Sequence, residues 1–197
     1  MADDRGGWRR VRTEPGPDYK VFRASFDIMV SPRTGQEGRY TILDAPDWVN
    51  MIALTGDLRD PESRIVLVRQ YRHGSDAVTL EIPSGQVDEG EEALVTAQRE
   101  LAEETGYTGG RWAQLGHVRP NAAFLRNWCA SFLAEGVELT AQPKFDPGED
   151  IRVELHALSE MPGLLSSGQI DQALVVAAFY WLNDYDRGRS PHSPSCR

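Results

Sequence analysis

The sequence predicts an α+β fold with a mixed sheet, because strand patterns and helix patterns follow one another along the chain. Apolar and polar residues alternate over residues 19–30, which is typical of a half-buried strand. Apolar, β-branched runs of strand length then lie on both sides of a helical segment that contains Leu94, Ala97 and Leu101. A second helical pattern covers residues 170–185. Strands, a helix, more strands and a last helix together indicate this fold class.

The N-terminal part of the chain is expected to be mostly β-structure. The first 18 residues are polar and rich in Gly and Pro, which predicts a mobile arm. The turn sequences "SPRTGQEGR" and "GDLRDPESR" separate the apolar runs that follow. The strands predicted before the first helix cover residues 19–30, 40–44, 48–55, 65–71 and 78–82.

The acidic segment after Gly85 predicts a helix, and Gly106 is well placed to end it. Apolar runs then predict strands at residues 112–119, 127–133 and 151–158, before the closing helix. The polar segment from residue 186 to the end predicts a disordered tail.

Composition limits the classes of function. The net charge of −9 argues against a broad surface that grips nucleic acid, although a small anionic substrate can bind beside metal ions. The two cysteines offer neither a zinc spacing nor a disulfide framework. No signal-peptide core and no apolar run of membrane-spanning length occurs. We therefore expect a cytoplasmic protein without a membrane partner.

Three carboxylates cluster on one face of the predicted acidic helix. Glu100, Glu103 and Glu104 are spaced three and four residues apart, where like charges destabilise a helix by roughly 0.2–0.5 kcal/mol per pair. A solvated charged face is the common explanation of such runs, and an Arg99–Glu103 ion pair would account for one of the three. Oxygen ligands that converge on a hard divalent cation would account for all of them.

The spacing of this segment resembles the Nudix box. The matching positions, in order, are Gly85, Glu91, Arg99-Glu100-Leu101, Glu103-Glu104 and Gly106. Only Tyr107, where an aliphatic residue is usual, departs from the pattern. The resemblance implies a Nudix α/β/α sandwich with a mixed sheet, preceded by a small β-rich extension. It also implies metal-dependent hydrolysis of a nucleoside diphosphate linked to another moiety.

Residue roles follow from this resemblance. It implies that Glu100, Glu103, Glu104 and the carbonyl group of Ser84 hold Mg²⁺, with Mn²⁺ as a possible substitute, and that the three glutamates act in catalysis. Gly85, Glu91, Arg99 and Gly106 would instead keep the shape of the loop–helix–loop.

The stretches "VRQYRHG" and "LEIPSGQVDEGE" resemble the branch that hydrolyses ADP-ribose and nucleotide sugars. The branch implies that Arg72 and Glu81 contact substrate, although a surface strand residue and a rim salt bridge are the plainer interpretations. It further implies a glutamate in the loop before residue 151 that orients or deprotonates the attacking water, for which we favour Glu149 over Asp150.

One loop departs from this branch, because Ala122 and Ala123 stand where a Pro-Gly pair is common. The departure leaves the moiety beyond the second phosphate open. Asn121 and Arg126 could contact substrate in that loop or could simply shape it. The aromatic residues that could stack on the nucleobase of the substrate are Trp8, Tyr19 and Phe22.

The expected organisation has four segments. They are a flexible arm at residues 1–18, a β-rich extension at residues 19–46 that favours a homodimer, a Nudix domain at residues 47–185, and a disordered tail at residues 186–197. The alternatives are a Nudix-fold nucleotide sensor without turnover, and a hydrolase of dinucleoside polyphosphates or coenzyme A.

Overall fold

The computed structural model describes residues 6–145, 148 and 150–188, which form two compact units. The first unit ends at Pro46 and also includes Arg119–Asn127, and the second comprises Asp47–Val118 and the chain from Trp128 onward. The expected single domain at residues 47–185 is therefore interrupted, because its residues 119–127 group with the first unit.

The first unit is a three-stranded antiparallel sheet. Its strands β1 (Arg9–Asp18), β2 (Arg23–Val30) and β3 (Glu37–Asp44) follow one another in that order. The structure thus has a strand within the segment expected to be a flexible arm. Strand β1 is polar and largely exposed, but its backbone pairs with β2 and its Thr13 hydroxyl donates to Asp27 at 2.6 Å. An edge strand of this kind needs no apolar alternation, which is why the pattern did not predict it.

Residues 119–127 join this sheet through strand β3. The amide of Leu43 donates to the Phe124 carbonyl, and the amide of Arg126 donates to the Leu43 carbonyl. The Arg126 guanidinium also contacts Asp44 at 3.0 Å and Asp27 at 3.1 Å. Arg126 therefore holds the loop of its own unit together.

The second unit contains a seven-stranded mixed sheet. Its strands are β4 (Trp48–Leu54), β5 (Arg64–Arg72), β6 (Ala77–Glu81), β7 (Ser84–Gln86), β8 (Tyr107–Val118), β9 (Cys129–Leu139) and β10 (Ile151–Ala157). The main path runs β10-β5-β4-β9-β8, while β6 pairs with β5 and β7 pairs with β4. Only β4 and β9 run parallel, and the other pairs are antiparallel.

Helices cover both faces of this sheet, which confirms the predicted α+β sandwich. The helices are α1 (Ala93–Thr105), α2 (Met161–Ser166) and α3 (Ala173–Asp186). One apolar core lies on the α1 side of the sheet and a second lies on the α3 side. Odd-numbered β4 residues such as Met51 belong to the first core, and even-numbered ones such as Ile52 belong to the second.

The acidic helix was predicted well in position and less well in its buried stripe. Ala97 and Leu101 are fully buried, but Leu94 is 40% exposed because it lies in the first turn, at the edge of the sheet contact. Helix α3 begins at Ala173 rather than at residue 170, after Gln172 caps it by accepting the Val175 amide hydrogen. Among the described residues, the helices are all too short or too polar to cross a membrane.

Candidate active site

A cavity of about 1020 Å³ opens within the second unit, beside the N-terminal ends of strands β4 and β9. Its wall combines the acidic face of α1 with side chains of β4, β5, β6 and β7, the start of α3 and the loop after β9. The charged residues that line it are Arg72, Glu81, Asp88, Arg99, Glu100, Glu103, Glu104 and Lys144. The predicted metal and substrate residues that the structure describes are thus brought to one place.

Gly85 lets helix α1 approach strand β7. A Cβ atom at this position would lie 2.1 Å from Cδ and 2.3 Å from Oε1 of Glu100. Since such distances are far inside van der Waals contact, only glycine leaves room for the Glu100 carboxylate. The pairing of Gly85 with Val49 then ties this carboxylate to the central strand of the sheet.

Glu104 is anchored one helical turn further along. It is 5% exposed, and its Oε2 accepts a hydrogen bond from the Ser84 amide at 3.0 Å. A charge-assisted bond of this type is stronger than one between neutral groups. The bond fixes the Glu104 carboxylate beside the strand that carries Ser84, the predicted source of a carbonyl ligand.

Arg99 forms ion pairs with several carboxylates of the acidic segment. Its guanidinium contacts Glu91 at 3.0 Å and both Glu100 and Glu103 at 2.9 Å. The hydrogen bonds that Arg99 donates to Glu91 are the main reason why the pKa of Arg99 is raised and the pKa of Glu91 is lowered. Arg99 therefore offsets much of the repulsion that the sequence places on α1, and the Arg99–Glu103 pair foreseen as the plainer interpretation is present.

The box residues also include the end of the helix. Gly106 adopts φ = 75° and donates its amide to the Ala102 carbonyl. A Cβ atom there would lie 2.2 Å from the Ala141 carbonyl oxygen. Both the left-handed backbone and the close approach of the loop after β9 therefore require glycine.

Arg72 and Glu81 form a bidentate pair across strands β5 and β6. Arg72 Nε donates to Glu81 Oε1 at 2.9 Å and Arg72 Nη2 donates to Oε2 at 2.7 Å. Thr79 also donates to Oε1, at 2.6 Å. Burial alone would raise the pKa of Glu81, but these hydrogen bonds and the charge of Arg72 outweigh it, so the pKa of Glu81 is lowered. Glu81 is 1% exposed, whereas the Arg72 side chain is 41% exposed.

Lys144, Phe145, Asn50 and Gln70 are among the lining residues that the sequence reasoning missed. Lys144 and Phe145 follow strand β9, and the Lys144 amide donates to the Glu103 carbonyl at 2.8 Å, which joins their loop to α1. Asn50 on β4 and Gln70 on β5 are buried, and within the described part of the chain Asn50 Oδ1 and Gln70 Nε2 lack hydrogen-bond partners. Polar residues inside otherwise apolar strands were the only sequence signal for the last two.

The remaining candidates are placed as follows. Glu149, the favoured loop acid, lies outside the described residues, and its alternative Asp150 is exposed. The aromatic candidates belong to the first unit, where Trp8 contacts Tyr40 edge to face and Tyr19 packs on Phe22. The described part of the chain contains no group of three His, Cys, Asp or Glu side chains already arranged around a metal position.

The chain is similar to several known proteins. A family model described as "NUDIX domain" matches residues 51–179. An ADP-ribose pyrophosphatase of Bacillus subtilis is 29% identical over 149 residues, which are 75% of this chain and 78% of that protein. A methanol dehydrogenase activator of Bacillus methanolicus is 37% identical over 99 residues, half of each chain. Among solved structures, an ADP compounds hydrolase superposes with a TM-score of 0.78 at 19% identity, over 92% of this chain and 95% of the other, which shows a shared fold.

Proposed function

Because the chain belongs to the NUDIX domain family of hydrolases, we propose that it hydrolyses the diphosphate bond of ADP-ribose or of a nucleotide sugar. The products are a nucleoside monophosphate and a phosphorylated sugar. The similarity to an ADP-ribose pyrophosphatase over three quarters of the chain supports this choice of substrate class.

The observation that carries the proposal is the meeting of the α1 carboxylates with Arg72 and Lys144 in one cavity. A diphosphate is an anion, so it needs cationic groups as well as the means to activate water beside it. Arg72 presents a planar guanidinium that suits phosphate oxygens, and Lys144 adds a compact positive charge to the same cavity. The two cations bind and orient the diphosphate at the acidic face of α1.

Glu81 positions Arg72 in this arrangement. Both oxygens of Glu81 accept hydrogen bonds from Arg72, and Glu81 itself is held by Thr79. The buried carboxylate thus fixes the guanidinium plane before substrate arrives, which lowers the entropy lost on binding. This role differs from the direct substrate contact that the sequence implied.

The carboxylates of α1 have the donor chemistry that a divalent cation requires. Glu100, Glu103 and Glu104 supply hard oxygen donors, and the Ser84 carbonyl lies on the adjoining strand. A bound cation would neutralise phosphate charge and lower the pKa of the attacking water. Glu100 and Glu103 are held by Arg99 in the structure, so their release from Arg99 would accompany cation binding. Mg²⁺, with Mn²⁺ as a substitute, is our choice of metal.

The remaining parts of the proposal concern the general base, the oligomeric state and the partners. Glu149 stays our candidate for orienting or deprotonating water, because it precedes the first residue of strand β10, Ile151, by two positions in the sequence. A homodimer is supported by exposed aromatic residues on the first unit, such as Tyr19 and Tyr40, and sedimentation velocity tests it. We further propose a cytoplasmic location, no membrane partner and no nucleic-acid partner, the last in keeping with the net charge of −9.

The test is a substrate panel scored by product. ADP-ribose, nucleotide sugars, FAD, NADH and dinucleoside polyphosphates are each incubated with Mg²⁺ or Mn²⁺, and the products are separated by chromatography. We expect a nucleoside monophosphate from ADP-ribose or a nucleotide sugar, with no product when EDTA is present.

Glu104→Gln provides the matched variant for this panel, because it keeps the side-chain shape and removes the charge. We expect it to lower kcat at least about 100-fold. Glu89→Gln is the control, since Glu89 lies in the same segment but is exposed and does not line the cavity. Inertness of the wild type toward the whole panel would favour the nucleotide-sensor alternative, and intact turnover by Glu104→Gln would refute its role.

A further inference from the structure

Part of the cavity wall, named the β4–α3 end, is formed by strand β4 and the start of helix α3. It adjoins the acidic wall, because Asn50 of β4 pairs with Ser84 of β7. Trp48, Asn50 and Cys129 line this end from the sheet, and Gln172, Leu174 and Val175 line it from the helix. Trp48 pairs with Cys129 across the parallel β4–β9 ladder, and Asn50 pairs with Ser131. These side chains lie on the α3 face of the sheet, opposite to the face that carries Met51 and the α1 core.

Asn50 is the unusual residue of this end. It is 2% exposed, and its Nδ2 donates to the Leu174 carbonyl at 3.1 Å. This bond fixes which way the amide faces, so the remaining polar atom is Oδ1, an acceptor. Oδ1 has no hydrogen-bond partner among the described residues. A buried acceptor left unpaired costs about 1–3 kcal/mol, and most such atoms in folded proteins have a partner.

The chemistry of Oδ1 restricts which groups can form a hydrogen bond with it. An amide oxygen only accepts hydrogen bonds, so a phosphate group, which is also an acceptor at neutral pH, would be repelled. The matching group must carry an N–H or O–H. Since the diphosphate is assigned to Arg72 and Lys144, we assign the donor to an organic part of the substrate that reaches the β4–α3 end.

We propose that Asn50 Oδ1 accepts a hydrogen bond, directly or through one bound water, from an N–H or O–H donor of one of the two organic moieties that the diphosphate of the substrate joins. Trp48 gives that moiety an aromatic surface two residues away on the same face of β4. The donor is an amino group of a nucleobase or a hydroxyl group of a sugar. The assignment rests on the proposed diphosphate hydrolysis and names a specificity-determining residue for it.

The test measures binding of half-substrates without turnover. AMP, purine riboside 5′-monophosphate and ribose 5-phosphate are titrated calorimetrically into the wild type and into Asn50→Leu. Loss of one hydrogen bond to a buried group should weaken binding about tenfold. If the base supplies the donor, AMP is weakened and purine riboside 5′-monophosphate, which lacks the amino group, is not. If a sugar hydroxyl supplies it, ribose 5-phosphate is weakened.

Two further variants make the result decisive. Asn50→Ala leaves space for water at the Leu174 carbonyl, and its binding data decide the matter if Asn50→Leu does not fold. Ser131→Ala is the matched control, because Ser131 is buried beside Asn50, its Oγ has no hydrogen-bond partner in the described ranges, and it does not line the cavity. We expect Ser131→Ala to bind all three probes as the wild type does.

The proposal is overturned if the folded Asn50 variants bind every probe within about twofold of the wild type, if Ser131→Ala weakens binding equally, or if the wild type binds none of the probes. A separate turnover experiment tests the proposed hydrolysis. Absence of products from ADP-ribose with the wild type would reject the reaction, while an effect of Asn50 on binding would still support the subsite.

Discussion

Replacement of Gly85 by alanine is the sharpest perturbation that the structure offers. The added Cβ would lie 2.1, 2.3 and 2.4 Å from Cδ, Oε1 and Cγ of Glu100, and contacts below 3.0 Å force a shift. The neighbour is a flexible side chain rather than backbone, so the helix and the sheet can stay in place. The Glu100 carboxylate must therefore move by about 1 Å, a displacement that can cost an active site about 100-fold in rate.

The assay compares kcat/KM for ADP-ribose with the midpoint of thermal unfolding. We expect Gly85→Ala to lose about 100-fold in kcat/KM while its Tm falls by only a few degrees. Gly74→Ala is the control, because Gly74 has no positive φ and no atom within 4 Å of an added Cβ. Turnover of Gly85→Ala within about threefold of the wild type, at unchanged Tm, would refute the claim that the Glu100 carboxylate needs the space that Gly85 leaves.

Three further predictions concern neighbouring contacts. Arg72→Lys removes the bidentate fork but keeps the charge, so KM for ADP-ribose should rise about tenfold in steady-state kinetics, and an unchanged KM would contradict the assigned contact. Gly106→Ala should lower the free energy of unfolding by more than about 1 kcal/mol, because φ is 75° and the added Cβ would lie 2.2 Å from the Ala141 carbonyl oxygen. An unchanged urea midpoint would count against this. The pKa of Glu154 is lowered from 4.5 to about 2, mainly by the hydrogen bond from Arg69. The ionised carboxylate therefore stabilises the fold fully above pH 4.5, and this stabilisation is lost as the pH falls through about 2. Glu154→Gln should thus have a lower Tm than the wild type at pH 7 and an equal Tm at the acid end, whereas a constant difference would contradict the linkage.

Helix α1 and its flanking glycines could be predicted from sequence because they depend on residues that are close together along the chain. The spacing of Glu100, Glu103 and Glu104 follows from helical geometry alone, and Gly106 is an ordinary helix-ending residue. The family and the α+β sandwich followed from the same segment and are confirmed. The position of Arg99 between Glu91 and two catalytic candidates was also within reach, since all of them belong to one short stretch.

The parts that escaped prediction depend on pairing between distant segments. Strand β1 is polar on both faces and is held by backbone bonds to β2, so it carries no apolar period. Residues 119–127 join the first unit through Leu43, far earlier in the chain. Asn50 and Lys144 reach the cavity only because β4 pairs with β7 and the loop after β9 returns to α1. None of these relations leaves a local signal.

The central claim is that this chain cleaves a diphosphate by attack of water on phosphorus. The most direct measurement is the incubation of ADP-ribose with the wild-type protein and Mg²⁺ in ¹⁸O-labelled water, followed by mass spectrometry of both products. The account predicts AMP and ribose 5-phosphate, with one ¹⁸O atom in the phosphate group of one product and none in the other. Recovery of intact, unlabelled ADP-ribose after prolonged incubation, with either Mg²⁺ or Mn²⁺, would contradict it.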